Sequence, residues 1–211
     1  MVRSGSATRP APRSDHTRRA LVDAAVEVLR QEGFAAATAR HIAARAGCNP
    51  GLVFYHFGSV VDLLLAALDQ VSARRRERYQ DLLNGVEGLG GLVELAARIF
   101  AEDLDTGDAA VLVEMIAGAT STPGLGERVK ARVAPWSRFA QDAVESQFGT
   151  SPLAGVVPPE EVAHGLVALY LGLELMSHLD GDRAPALALF ERVRRLIPLV
   201  GLIGHHPVNG G

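Results

Sequence analysis

Aromatic residues make up only 5% of this 211-residue chain, although 48% of it is hydrophobic. A core of that size has to be filled by Ala, Leu and Val. β-branched runs bounded by turns are few, so a sheet protein is excluded and an all-α fold is predicted. The lone cysteine, Cys48, excludes an internal disulfide framework, suits a reducing compartment and reads as a packing residue. No apolar segment follows the first arginines, so no secretory leader is expected and the reading is cytoplasmic. The most apolar run, Val162 to Leu179, is broken by His164, Glu174 and His178, which predicts a helix buried in protein rather than a membrane span. There is no Gly-rich phosphate loop, no nucleophile elbow and no repeat period. Glu174 and His178 stand four apart but lack a third ligand, so neither a metal nor a cofactor is expected.

What charge there is divides unevenly. The net charge is -3, yet up to Gly58 eight arginines face four carboxylates, which leaves +4 there and -7 on the remainder. A basic front on an acidic body suits one part that approaches phosphates and another that does not. Residues 1–14 read as a basic, disordered arm and 204–211 as a flexible tail, enclosing a small unit at 15–62 and a larger one at 63–203. The first helix is expected from Asp15 or Thr17 to Glu32, stopped by Gly33, with Phe34 plugging the core. Beyond the small unit, helices are expected near Leu92–Asp105, Ala109–Thr120, Leu125–Phe148, Glu160–Asp180 and Pro185–Ile203, about nine in all. Gly85, Gly88, Gly90 and Gly91 mark a loop before them, and Pro135 and Pro198 should kink or split their helices.

The most specific stretch is Thr38 to Leu64, TARHIAARAGCNPGLVFYHFGSVVDLLL. Thr38 N-caps a short helix that ends at Gly47; Asn49 caps a second, with Pro50 at its first position; Ser59 and Asp62 form the capping box of a third. Two short capped helices around a Gly turn form the grammar of a helix-turn-helix reader of DNA. Val53 and Phe57 should face the core with Ile42, leaving Asn49, Pro50, Leu52, Tyr55 and His56 outward. Gly51 lets backbone approach the duplex, Tyr55 and His56 suit phosphate oxygens, and Arg40 is the candidate for a guanine edge. Thr38 is a further candidate contact.

These residues resemble the N-terminal domain of the TetR family of bacterial transcriptional regulators. The matching positions are Ala24-Ala25, Gly33-Phe34, Thr38, Ile42-Ala43, Ala46-Gly47, Gly51, Tyr55-His56-Phe57, Ser59 and Leu63-Leu64. The resemblance implies a three-helix DNA-binding head, a helical effector-binding and dimerisation body, and a repressor of double-stranded operator DNA. One departure stands out: the family usually has a lysine after the residue matching Ser59, and here Val60 stands in that place. Fewer charged groups then reach the duplex, which predicts modest salt dependence and contacts to thymine methyls. An interaction dimer with weak DNA affinity and a helical enzyme are the alternative readings.

In the body, Gly165, Ala168 and Gly172 fall on one small-residue face, and Leu187, Phe190, Val193 and Ile197 form a stripe on the last helix. Together they are the expected homodimer interface, which would set two heads about 34–36 Å apart on a palindrome. Tyr170, Glu174 and His178 read either as polar lining of an effector pocket or as a hydrogen-bond ladder at that interface. Phe100, Met115, Trp136 and Phe139 read as core or as the walls of a mostly apolar pocket for an unnamed small molecule.

Overall fold

The computed structural model describes residues 13–83, 86–148 and 158–203. Nine α-helices and a short 3-10 turn account for nearly all of them: α1 Arg13–Glu32, the turn Phe34–Ala36, α2 Ala39–Arg45, α3 Gly51–Phe57, α4 Val60–Leu83, α5 Gly88–Thr106, α6 Asp108–Ala119, α7 Leu125–Phe148, α8 Pro159–Asp180 and α9 Ala184–Ile203. The all-α reading holds. The expected arm at 1–14 falls outside the described residues except for Arg13 and Ser14, which begin α1, and the expected tail at 204–211 falls wholly outside them.

Three boundaries differ from expectation for identifiable reasons. Helix α5 takes in Gly88, Gly90 and Gly91, which read as loop; a Cβ at Gly91 would press on Val86 at 3.3 Å, so the glycine allows the entering chain to pack closely. Pro135 does not split α7. The hydrogen bond that it removes would have ended on the carbonyl of Ala131, an exposed residue where water can take the donor's place. Nor is α9 split at residue 198.

Helix α1 exists because Leu21, Ala25, Val28 and Leu29, at helical spacing, are all fully buried. They meet Ile42, Val53, Leu64 and Leu68 in one core that continues into Val111 and Met115 of α6 and Leu125 and Val129 of α7. The first three helices therefore share a core with the rest of the chain. Helices α1 and α4 lie together, as do α1 and α6, α7 and α8, and α5 and α9. A second, smaller cluster holds Val144 and Ala163 with Leu92, Ala140 and Val162 at the far end of the body. Helix α8 departs from the expected burial on several sides. Only Ala163, Glu174 and Ser177 are buried, while Leu166, Leu169, Leu175, Met176 and Leu179 stay exposed. It is the one helix among the described residues long and apolar enough to cross a membrane, yet Glu174 sits within the fold's own polar core.

Candidate DNA-reading face and ligand cavity

The small unit is braced at each turn. Thr38 Oγ1 accepts from the N–H of His41 at 3.3 Å and starts α2. Gly47, at φ +66°, lets the chain reverse, and Cys48 N–H closes the turn on Ala43 O at 2.9 Å. Asn49 Oδ1 then accepts from Gly51 N–H at 2.8 Å, while Pro50 already has helical dihedrals. Asn49 thus caps and Pro50 occupies the first helical position, where its missing N–H costs nothing. A second left-handed glycine, Gly58 at φ +81°, turns the chain by 66° from α3 into α4. Ser59 Oγ accepts from Asp62 N–H at 3.1 Å and donates back to its carboxylate. The Ser59 hydroxyl and then Arg128 hold that carboxyl below the usual range.

Helix α3 turns Val53 fully inward, with Phe57 half-buried beneath the Arg18 guanidinium at 5.1 Å. The opposite stripe, Gly51, Phe54 and Tyr55, faces out, with Tyr55 78% and Phe54 54% exposed. Tyr55 meets the half-buried His56 edge-on at 5.0 Å. Leu52, expected outside, is half-buried against the core, and Pro50 is also half-buried. Phe54 was not among the expected contacts; counting three and four from Gly51, away from Val53 and Phe57, would have found it. On α2 the basic residues divide by role. His41 at 2.9 Å and Arg45 at 2.8 Å both bind Glu32 at the end of α1, whereas Arg40 is exposed beside Thr38. Two of the three basic side chains on α2 brace the unit, and the third, Arg40, stays exposed.

Five of the seven expected effector residues line two separate cavities. An apolar one of about 180 Å³ lies between the two hydrophobic clusters, walled by α5, α7 and α8 with contributions from α4, α6 and α9. Trp136, Phe139 and Tyr170 line it. Phe100 and Met115 are fully buried packing residues instead. Glu174 and His178 line the other cavity, a polar one of about 140 Å³ reached by the end of α1 through Arg30 and Gly33. Gly165, Ala168 and Gly172 lie on the open face of α8, and Val193 is exposed on α9, with Leu187 and Ile197 half-buried. Phe190 departs from that stripe: it turns inward onto Phe100 at 5.4 Å and lines the apolar cavity.

A buried polar group separates the cavities. Asp103 of α5, fully buried, accepts from Arg75 of α4, from Tyr170 of α8 and from Tyr79 at 3.2 Å. Burial pushes the Asp103 carboxyl up and raises Tyr79 and Tyr170 as well. Glu174, 4% exposed, stands behind them with Oε1 unpartnered. Burial, then the Asp103 charge, push its carboxyl up to about 7. Among the described residues no three His, Cys, Asp or Glu side chains gather as a metal site.

Residues 21–67 match the sequence model of the bacterial regulatory proteins of the tetR family. These residues form an N-terminal domain of the tetR type. The HTH-type transcriptional regulator CymR of Pseudomonas putida is 28% identical over 127 residues, which are 58% of this chain and 61% of CymR. A TetR-family member from Streptomyces coelicolor superposes with a TM-score of 0.60 at 28% identity, covering 83% of this chain and 96% of that one. FadR of Bacillus subtilis, solved with stearoyl-CoA, shares the fold with a TM-score of 0.71 at 15% identity, over 84% of this chain and 96% of FadR. Its N-terminal part is thus a helix-turn-helix domain like those of transcriptional regulators.

Proposed function

We propose that this protein is a TetR-family transcriptional repressor that binds a palindromic operator as a homodimer and is released by a small, mostly apolar effector. The observation that carries the reading is the pairing of a braced, outward-facing helix with a partly open apolar cavity, joined by α4. The outer stripe of α3 offers Gly51, Phe54 and Tyr55 to the major groove, where aromatic edges suit thymine methyls. Arg40 supplies a guanine contact, while Thr38, Asn49 and His56 suit phosphate oxygens.

The dimer forms on α8 and α9. Leu166, Leu169, Met176 and Leu179 with Val193 and Leu196 are exposed apolar side chains on these two helices, the kind of surface that marks an interaction site. Closed symmetry about it pairs the heads on successive major grooves. CymR is named as a transcriptional regulator, and FadR was solved with an apolar-chained ligand; both agree with this reading.

Effector binding acts through α4 and α6. Arg75 of α4 stands in the cavity wall, and the N-terminus of the same helix follows the reading helix directly. On the other side, Phe34 N–H binds Glu114 of α6 at 2.8 Å, and Arg30 pairs with the buried Asp108. Electrophoretic mobility shift with a palindromic fragment from the protein's own upstream region tests the proposal. A specific shift that Tyr55→Ala weakens without loss of folding is expected. A shift equally strong on unrelated DNA would refute operator recognition.

A further inference from the structure

The apolar cavity has two polar groups left without a use. Arg75 is only 6% exposed and lines the cavity, yet its Nε–H has no acceptor among the described residues. The Trp136 Nε1–H, also in the lining, is buried and equally without one. The two side chains are neighbours: the Arg75 guanidinium carbon lies 4.6 Å from the Trp136 ring centroid. Two adjacent buried donors with nothing to accept from them are uncommon in a folded chain and need an explanation. The Tyr170 hydroxyl cannot supply it, because it is engaged with Asp103 and takes a 3.3 Å hydrogen bond from Arg75 Nη2.

We propose that the cavity takes an uncharged, mainly apolar molecule presenting one hydrogen-bond acceptor, a carbonyl or ether oxygen, to the N–H groups of Arg75 and Trp136. This rests on the ligand-responsive reading above and names the chemistry of its ligand. A plain hydrocarbon would fill the space but leave both donors unpaired. An anion gains little, because Asp103 already neutralises Arg75, and Glu174 stands behind that pair. A cation would meet the guanidinium itself. Only a neutral acceptor satisfies both donors without adding an unpaired buried charge.

Size narrows the choice further. A cavity of about 150 Å³ holds benzene, so about 180 Å³ accommodates one ring with a short substituent. Leu166 and Leu169 of α8 add to the cavity's apolar lining.

Three probes of nearly equal shape separate the alternatives: acetophenone, α-methylstyrene, in which a methylene replaces the carbonyl oxygen, and benzoate. Isothermal titration calorimetry on the full chain gives affinities. The chain has a single tryptophan, so its indole N–H gives one resolved peak in a ¹H–¹⁵N spectrum. Acetophenone is expected to bind at least tenfold more tightly than the more apolar α-methylstyrene and to move the indole proton downfield, as hydrogen bonding does. Trp136→Phe is expected to weaken acetophenone several-fold and leave α-methylstyrene unchanged; should that variant not fold, the three-ligand comparison on the native chain decides alone. Equal or tighter binding of α-methylstyrene, or an unmoved indole peak, overturns the acceptor and leaves the ligand-responsive reading standing. Tightest binding by benzoate overturns the neutral class. If none of the three binds, the cavity is not a ligand site, and both readings fall.

Discussion

Replacing Glu174 by Gln should make the protein more stable, and increasingly so as the pH rises. Its carboxyl is 4% exposed, has no partner for Oε1, and stands beside Asp103 with the Arg75 charge already spent on that residue. Tyr170 on its own helix, Arg30 and Glu114 across the polar cavity and His178 one turn on complete its polar surroundings. A carboxyl held near 7 instead of 4.5 binds its proton more tightly folded than unfolded. Its contribution to stability is therefore full below pH 4.5 and is lost as the pH rises through 7. A tenfold change in proton affinity is worth about 1.4 kcal/mol, so ionising Glu174 costs the fold about 3 kcal/mol at neutral pH and above, and under about 1 kcal/mol at pH 5. Glutamine keeps the shape and cannot ionise. Urea unfolding of native and Glu174→Gln protein should be compared from pH 5 to pH 8.5 at one protein concentration, since dimerisation would otherwise shift the midpoint. The stability gained by the variant should grow by roughly 2 kcal/mol across that range. A gain or loss independent of pH would show that Glu174 is not the titrating group, and the account of this wall would be wrong.

Other perturbations address the head and its junction. Arg40→Ala and Tyr55→Ala should each weaken operator binding by about 1–3 kcal/mol, read by gel-shift titration, with an unchanged melting temperature. Val60→Lys should tighten binding and steepen the slope of log K against log salt by about 1, and an unchanged slope would mean that no phosphate lies near this position. Asn49→Ala removes the cap on Gly51 N–H and should lower stability by about 1 kcal/mol in urea. A Cβ at Gly118 would overlap the Phe34 ring, so Gly118→Val should destabilise the chain by about 1–3 kcal/mol, and an intact melting temperature would show that this contact yields freely.

The head was legible because its rules are local. Thr38, Gly47, Asn49, Pro50 and Ser59 act on neighbours within four residues, and each cap or turn appears where its chemistry demands. Leu52 was misjudged because in a seven-residue helix the neighbouring elements, rather than sequence type, decide which flank is covered. In the body the helices could be read from apolar period, but which groups meet could not. Arg75, inside a run of basic residues that looks like a solvated face, is buried against Asp103. Asp103 in turn gives no local sign that it will accept from side chains on two other helices, α4 and α8. Glycines 90 and 91 show the opposite limit: their propensity says loop, and the packing of α5 against Val86 overrides it.

The placement of Arg75 also determines how a cavity more than four helical turns from Ser59 could reach DNA. Helix α4 carries both, and it does not float: Asp62 pairs with Arg128 and Asp69 with Arg132 at 2.9 Å, so α7, which supplies Trp136 to the cavity, grips α4 near its reading end. A ligand that spread α7 from α5 would therefore pull on the start of α4 through these two pairs as well as on its middle through Arg75. Both pairs are partly solvated, so each adds little stability of its own. Their proposed value lies in direction. Arg128→Ala with Arg132→Ala should leave the fold and the operator affinity of the free protein nearly intact while reducing the loss of DNA binding caused by the ligand. Full release by ligand in that double variant would place the coupling in Arg75 and α6 alone.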